Sequence, residues 1–79
     1  MRILYFGTTG PTDPTKASIP LHIAANGSLE AGQECAVALA GDAVELARRE
    51  TAEAVEGVGI PPVRELFQKL RDHEVPIYV

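Results

Sequence analysis

Two short apolar runs, each followed by glycine-containing turn chemistry and then a helical pattern, constrain this chain more than any other feature. Arg2-Ile3-Leu4-Tyr5-Phe6 is apolar at every position after Arg2. An alternating pattern would leave one wet face, whereas a continuous run predicts a strand covered on both faces, as in the middle of a parallel sheet. Gly7 ends the run, and Gly7-Thr8-Thr9-Gly10-Pro11-Thr12 is turn chemistry without periodicity. Asp13-Pro14 reads as an N-cap followed by proline at the first helical position, where a missing N–H costs nothing. The helix that follows is expected to bury Ala17, Leu21, Ala24, Ala25 and Ser28, a stripe of small residues suited to close packing on a sheet. Pro20 removes the bond to the Lys16 carbonyl and is expected to bend the helix. Gly32 is the expected C-cap.

Cys35-Ala36-Val37-Ala38-Leu39-Ala40 is the second apolar run, assigned to a strand by its length and flanking glycines rather than by propensity. Gly41-Asp42 turns the chain, and Asp42 with Glu45 has the spacing of a capping box. Helical character is expected from Ala43 to about Arg49 and again through Thr51–Glu56, with Val44, Ala47, Ala54, Val55 and Val58 on one face. Gly57-Val58-Gly59 stops it. Pro61-Pro62 starts the last helix, whose Val63, Leu66, Phe67 and Leu70 follow the i, i+3, i+4, i+7 template. Glu65 with Lys69 is an expected i, i+4 ion pair. Val75-Pro76-Ile77-Tyr78-Val79 is the third strand, with Pro76 tolerated near its start. The order β-α-β-α-β predicts an α/β fold of three layers, with helices on both faces of a parallel sheet. If the chain moves first to one side of strand one and then to the other, the strand order is 2-1-3. Ligands in such sheets bind where the order reverses, beyond the carboxyl ends of the strands.

That rule points to the loop of Gly7, Thr8, Thr9, Gly10 and Asp13, where backbone N–H groups, hydroxyls and a helix N-terminus together suit a small anion or a nucleotide phosphate. The loop lacks the Gly-Lys-Ser/Thr ending of a nucleoside-triphosphate loop and the spacing of a dinucleotide fingerprint. Cys35 is the single cysteine, so an internal disulfide framework and a multi-cysteine zinc site are excluded. It falls at the start of strand two, at the end of the sheet opposite the expected crevice, and reads as a small core hydrophobe. Ser18 and His22 are four residues apart and able to face each other, but no orienting acid accompanies them. His73 ends the last helix, where an imidazolium suits the helix dipole. The two histidines are far apart in this topology, so no metal site and no cofactor are expected. The net charge of −4, with no basic cluster beyond Arg48-Arg49, argues against nucleic acid as a partner. No apolar run approaches the roughly 20 residues of a membrane helix, and a lone thiol suggests a cytoplasmic setting.

The segments Asp13-Pro-Thr-Lys-Ala-Ser-Ile-Pro-Leu-His-Ile-Ala-Ala-Asn-Gly27, Leu39-Ala-Gly-Asp-Ala-Val44, Gly59-Ile-Pro-Pro-Val-Arg-Glu-Leu66 and Val75-Pro-Ile-Tyr-Val79, in that order and spacing, resemble the DsrE/DsrF-like family, which includes the YchN-like proteins. The resemblance covers essentially the whole chain. It implies a three-layer fold with a parallel sheet completed by further strands, so residues 1–79 are expected to be a single α/β domain, incomplete on its C-terminal side. It also implies homo- or hetero-oligomers, a sulfur-carrier protein as partner and a role in sulfur relay. In the sulfur-transferring members a cysteine carries persulfide sulfur in a loop after a segment like Pro-Ile-Tyr-Val. Cys35 does not match that position, so the role is not carried over to it, and no residue here is assigned a catalytic role. Glu74 stands where similar proteins tend to have glycine, implying a side chain at a left-handed cap. Two other readings are a small-anion or nucleotide binding module without catalysis, and a structural subunit of an oligomer. The third strand would end at a sheet edge with an apolar face, which predicts self-association.

Overall fold

The longest ladder in the molecule joins β1 (Arg2–Gly7) to β2 (Glu34–Leu39), which run parallel in register from Arg2↔Glu34 to Gly7↔Leu39. A computed structural model describes residues 2–79. β3 (Ile77–Tyr78) pairs parallel with the other side of β2, through Val37↔Ile77 and Ala38↔Tyr78. The strand order is therefore β1-β2-β3, with β2 in the centre, and not 2-1-3. Alternation of strands and helices decides that the sheet is parallel; it does not decide which way the second crossover runs.

What decides the direction is the seating of α3 (Val63–Asp72) beside α1 (Pro14–Ile23). With both crossovers moving the same way across the sheet, right-handed connections place both helices on one face. Among the described residues the sheet accordingly has one covered face and one open face, which corrects the expectation of helices on both. Ile3, Tyr5, Cys35, Val37, Leu39 and Ile77 share the covered face by register. Leu4, Phe6, Ala36, Ala38 and Tyr78 share the other, where Leu4 and Phe6 remain 60% and 61% exposed. The continuous apolar run in β1 thus marks two apolar faces, only one of them packed.

α1 starts as expected. The Asp13 carboxylate accepts the Lys16 N–H at 3.1 Å, and Pro14 takes the first helical position. Ala17, Leu21, Ala24, Ala25 and Ser28 are all buried. Beyond Pro20 the helix does not stop. It widens into a π turn over Ala24–Ser28 and ends at Gly32, whose φ of 73° is the left-handed conformation expected of it. The buried Ser28 hydroxyl meets the Tyr5 hydroxyl at 2.6 Å and donates to Gln33 Oε1 at 3.2 Å, tying β1 to the end of the π turn.

The middle of the chain departs most from expectation. Gly41–Ala47 is a 3-10 helix without a side-chain cap, so Asp42 and Glu45 form no capping box. Its three-residue period buries Ala43 and Leu46 and turns Val44 and Ala47 outward. Arg48 is extended, at φ −78° and ψ 135°, and a separate short helix α2 (Arg49–Ala54) follows. The break dissolves the continuous stripe expected there: of Val44, Ala47, Ala54, Val55 and Val58, Val55 alone is buried.

α3 buries Val63, Leu66, Phe67 and Leu70 as its spacing predicts. Lys69 does not pair with Glu65. Its Nζ reaches across to the first helix, donating to Asn26 Oδ1 at 2.8 Å and pairing with Glu30. After α3, Glu74 adopts the expected left-handed conformation (φ 57°), and the Val75 N–H returns to the Leu70 carbonyl at 2.9 Å. This sharp turn aims the chain into β3 next to β2.

The Lys69 ammonium, hydrogen-bonded and attractive, holds the Glu30 carboxyl below its ordinary 4.5. A carboxyl depressed in the folded state contributes stability above its unfolded pKa and loses it as pH falls through the folded value. Urea midpoints followed from neutral to acidic pH are therefore expected to fall less steeply in Glu30→Gln than in the native chain. The effect is small, because the carboxylate is fully exposed, and identical profiles would show that the pair does not help to seat α3.

Candidate functional site

The carboxyl ends of β1 and β2 carry two loops that touch. Gly10 lies so close to the following loop that an added Cβ would stand 2.6 Å from the Asp42 carbonyl oxygen, far inside contact distance. The Ala40 N–H donates to the Gly7 carbonyl at 3.0 Å, and the Asp13 N–H donates to the Gly10 carbonyl at 3.3 Å. Gly7 and Gly10 are buried, Thr9 is half-buried, and Thr8 and Asp13 are exposed. The structure thus gathers Gly7, Thr8, Thr9, Gly10 and Asp13 at one edge of the sheet. Asp13 spends its carboxylate on capping α1, and Asp42 flanks the loop as a second acid. The order β1-β2-β3 has no reversal between these strands, so the crevice on which the loop's assignment rested is not formed by them.

Cys35 is 7% exposed on the covered face of β2, at the amino end of the strand and away from that loop. Burial pushes its thiol pKa up, which disfavours the thiolate that nucleophilic or sulfur-carrying chemistry requires. Ser18 and His22 each take another hydrogen-bond partner. The Ser18 hydroxyl donates to the Pro14 carbonyl at 2.7 Å, and the His22 ring meets the Asn26 amide at 3.1 Å. His73 Nδ1 lies 2.9 Å from the Lys69 carbonyl, at the end of α3 where its position on the helix dipole was expected. Among the described residues no group of three or more His, Cys, Asp or Glu side chains is placed to hold a metal ion. No helix there is long and apolar enough to cross a membrane.

A feature missed in the sequence is a cleft of about 500 Å³ between α2, α3 and β3. Arg49 of α2 and Arg64, Gln68 and Arg71 of α3 line it, with Phe67 and Ile77 as its apolar side. The signal was present as the i, i+4, i+7 spacing of Arg64, Gln68 and Arg71, which places three planar hydrogen-bonding side chains on one helix face.

The burial of Cys35 has a direct chemical consequence. In the native state at mildly alkaline pH, iodoacetamide is expected to modify Cys35 at least about tenfold more slowly than in urea. Equal rates, read by intact mass, would mean that the thiol is accessible.

The sequence profile of the DsrE/DsrF-like family matches residues 1–79. No curated protein and no solved structure matches the chain. The match spans every element, from β1 through the Glu74 turn to β3. The chain therefore belongs to the DsrE/DsrF-like family.

Proposed function

We propose that this protein serves sulfur relay, taking part in sulfane-sulfur transfer through a persulfide-bearing sulfur-carrier protein that docks on the α/β scaffold. The observation that carries this reading is the family match over the whole chain. Burial and the raised thiol pKa argue against Cys35 as the sulfur-carrying thiol. The free, buried thiol also fits the cytoplasmic setting expected from the composition. An anion-binding module on the Gly7–Asp13 loop has less support, since Asp13 is committed to capping and Asp42 brings a second acid beside Gly10.

The test combines the chain with a sulfur-carrier protein loaded by a cysteine desulfurase. Size exclusion is expected to show association with the persulfidated carrier, and intact mass no gain of sulfur on Cys35. Cys35→Ser is expected to behave like the native chain. Absence of association would remove the relay reading, and an added sulfur that disappears in Cys35→Ser would make Cys35 the carrier after all.

The open sheet face supports self-association as a homo-oligomer. Leu4, Phe6, Ala36, Ala38 and Tyr78 form its apolar centre, and an Arg2–Glu34 ion pair of opposite charges sits at its rim. A two-fold axis along the strands, between β1 and β2, would set Arg2 of each copy beside Glu34 of the other. Sedimentation at micromolar concentration is expected to show a species larger than a monomer, shifted toward monomer by Phe6→Lys. A folded monomer for the native chain would contradict this.

A further inference from the structure

The arginine-lined cleft between α2, α3 and β3 has no part in the reading above. Five arginines are present in the chain, at positions 2, 48, 49, 64 and 71, and three of them line this cleft. Three guanidinium groups line the cleft against the Glu53 carboxylate in its wall and the Glu56 carboxylate paired with Arg64, a local charge of +3 − 2 = +1. The chain as a whole carries −4. The cleft's positive balance is therefore a local arrangement, not a reflection of composition.

The pairing of these arginines leaves room for a ligand. Arg49 stands 4.0 Å from Glu53, at the limit of an ion pair, with both side chains largely exposed. Arg64 lies 3.6 Å from Glu56 and donates to the Glu53 backbone carbonyl at 3.3 Å. Arg71 has no carboxylate within ion-pair distance among the described residues, and its contact is Gln68 Oε1 at 3.5 Å. Helix energetics account for only one of the two arginines on α3. Arg71, in the last turn, suits the helix dipole, whereas Arg64, in the first turn, opposes it.

Size and composition narrow the ligand class. A volume of about 500 Å³ lies within the range of roughly 300–1,000 Å³ typical of small-molecule pockets. Guanidinium forks match the oxygens of phosphate bidentately, and the local excess of positive charge favours an anion. Phe67 and Ile77 supply an apolar side for the body to which such a group is attached. We propose that this cleft binds a small organic phosphate monoester, its phosphate held by Arg64 and Arg71 with Arg49 closing over it, and its compact apolar body against Phe67 and Ile77.

The test titrates the full chain with phenyl phosphate at low salt, by calorimetry and by amide NMR shifts. Saturable binding is expected, with shifts at the Gln68 side-chain amide and at Phe67, tighter than inorganic phosphate and weakened by added salt. Arg71→Ala and Arg64→Ala are each expected to weaken it about tenfold or more, the scale of one charge-assisted contact. Thr8→Ala is expected to leave it unchanged. Arg71→Gln, which keeps the packing of the stem, guards against loss of fold and is expected to bind as weakly as Arg71→Ala. No saturable binding at millimolar phenyl phosphate would overturn the proposal, as would native affinity in both arginine variants. Loss of binding in Thr8→Ala with the arginine variants unaffected would move the anion site to the Gly7–Asp13 loop. Equal affinity for inorganic and phenyl phosphate would remove the organic body from the assignment.

Discussion

The seat of α3 against α1 and its π turn governs the rest of the molecule. Leu66, Phe67 and Leu70 are nearly or fully buried at this interface and its surroundings, and Lys69 clamps its rim by reaching Asn26 and Glu30. Burying side chains of this size is worth roughly 1.5–3 kcal/mol each, well above the contribution of an exposed ion pair. Apolar contact therefore holds the helix in place, with the lysine pairs at its rim adding little. Because α3 lies on the same face as α1, the chain leaving it at Glu74 meets the free edge of β2, and β3 takes that edge. The strand order β1-β2-β3 thus goes together with the placement of α1 and α3 on one face.

The same contact explains why the sheet has two unlike faces. Both helices and the 3-10 segment cover one side, and Leu21, Leu46, Val37 and Val63 fill the space between them and the strands. On the other side the alternate residues of β1 and β2 are apolar as well, so the composition of the strands would suit a layer on each side. Ala36 and Ala38 keep the centre of that open face flat, while Phe6 and Tyr78 stand at its flanks. The Arg2–Glu34 ion pair balances the charge at the rim of this flat apolar surface.

Much of this architecture was legible from local chemistry. The Asp13-Pro14 cap, the small stripe of α1, the left-handed Gly32, the core face of α3 and the burial of Cys35 each depend on residues within a few positions of one another. Two kinds of feature were not legible. In Gly41–Ala54, alanine, valine and glutamate are compatible with both α and 3-10 windings, and the break at Arg48 is set by packing. Lys69 had one acid four residues back and another 39 residues away, and tertiary placement chose the distant one. Strand order was lost for the same reason, since the contact that determines it joins residues far apart in the chain.

The fate of the Gly7–Asp13 loop shows how a functional assignment depends on topology. An order of 2-1-3 would have splayed the loops after the strands apart and opened a crevice with a helix N-terminus at its mouth. In the order β1-β2-β3 the two loops close on each other instead, and Gly10 has no room for even a methyl group beside Asp42. The helix dipole at Pro14 still favours an anion, but the group it meets is the chain's own Asp13 carboxylate. Capping by an internal acid is worth typically ~1 kcal/mol and occupies donors that an external anion would need. In the cleft between α2, α3 and β3, Arg71 has no carboxylate within ion-pair distance among the described residues. An external anion thus competes with an internal acid at the loop, whereas at Arg71 it meets no carboxylate among the described residues.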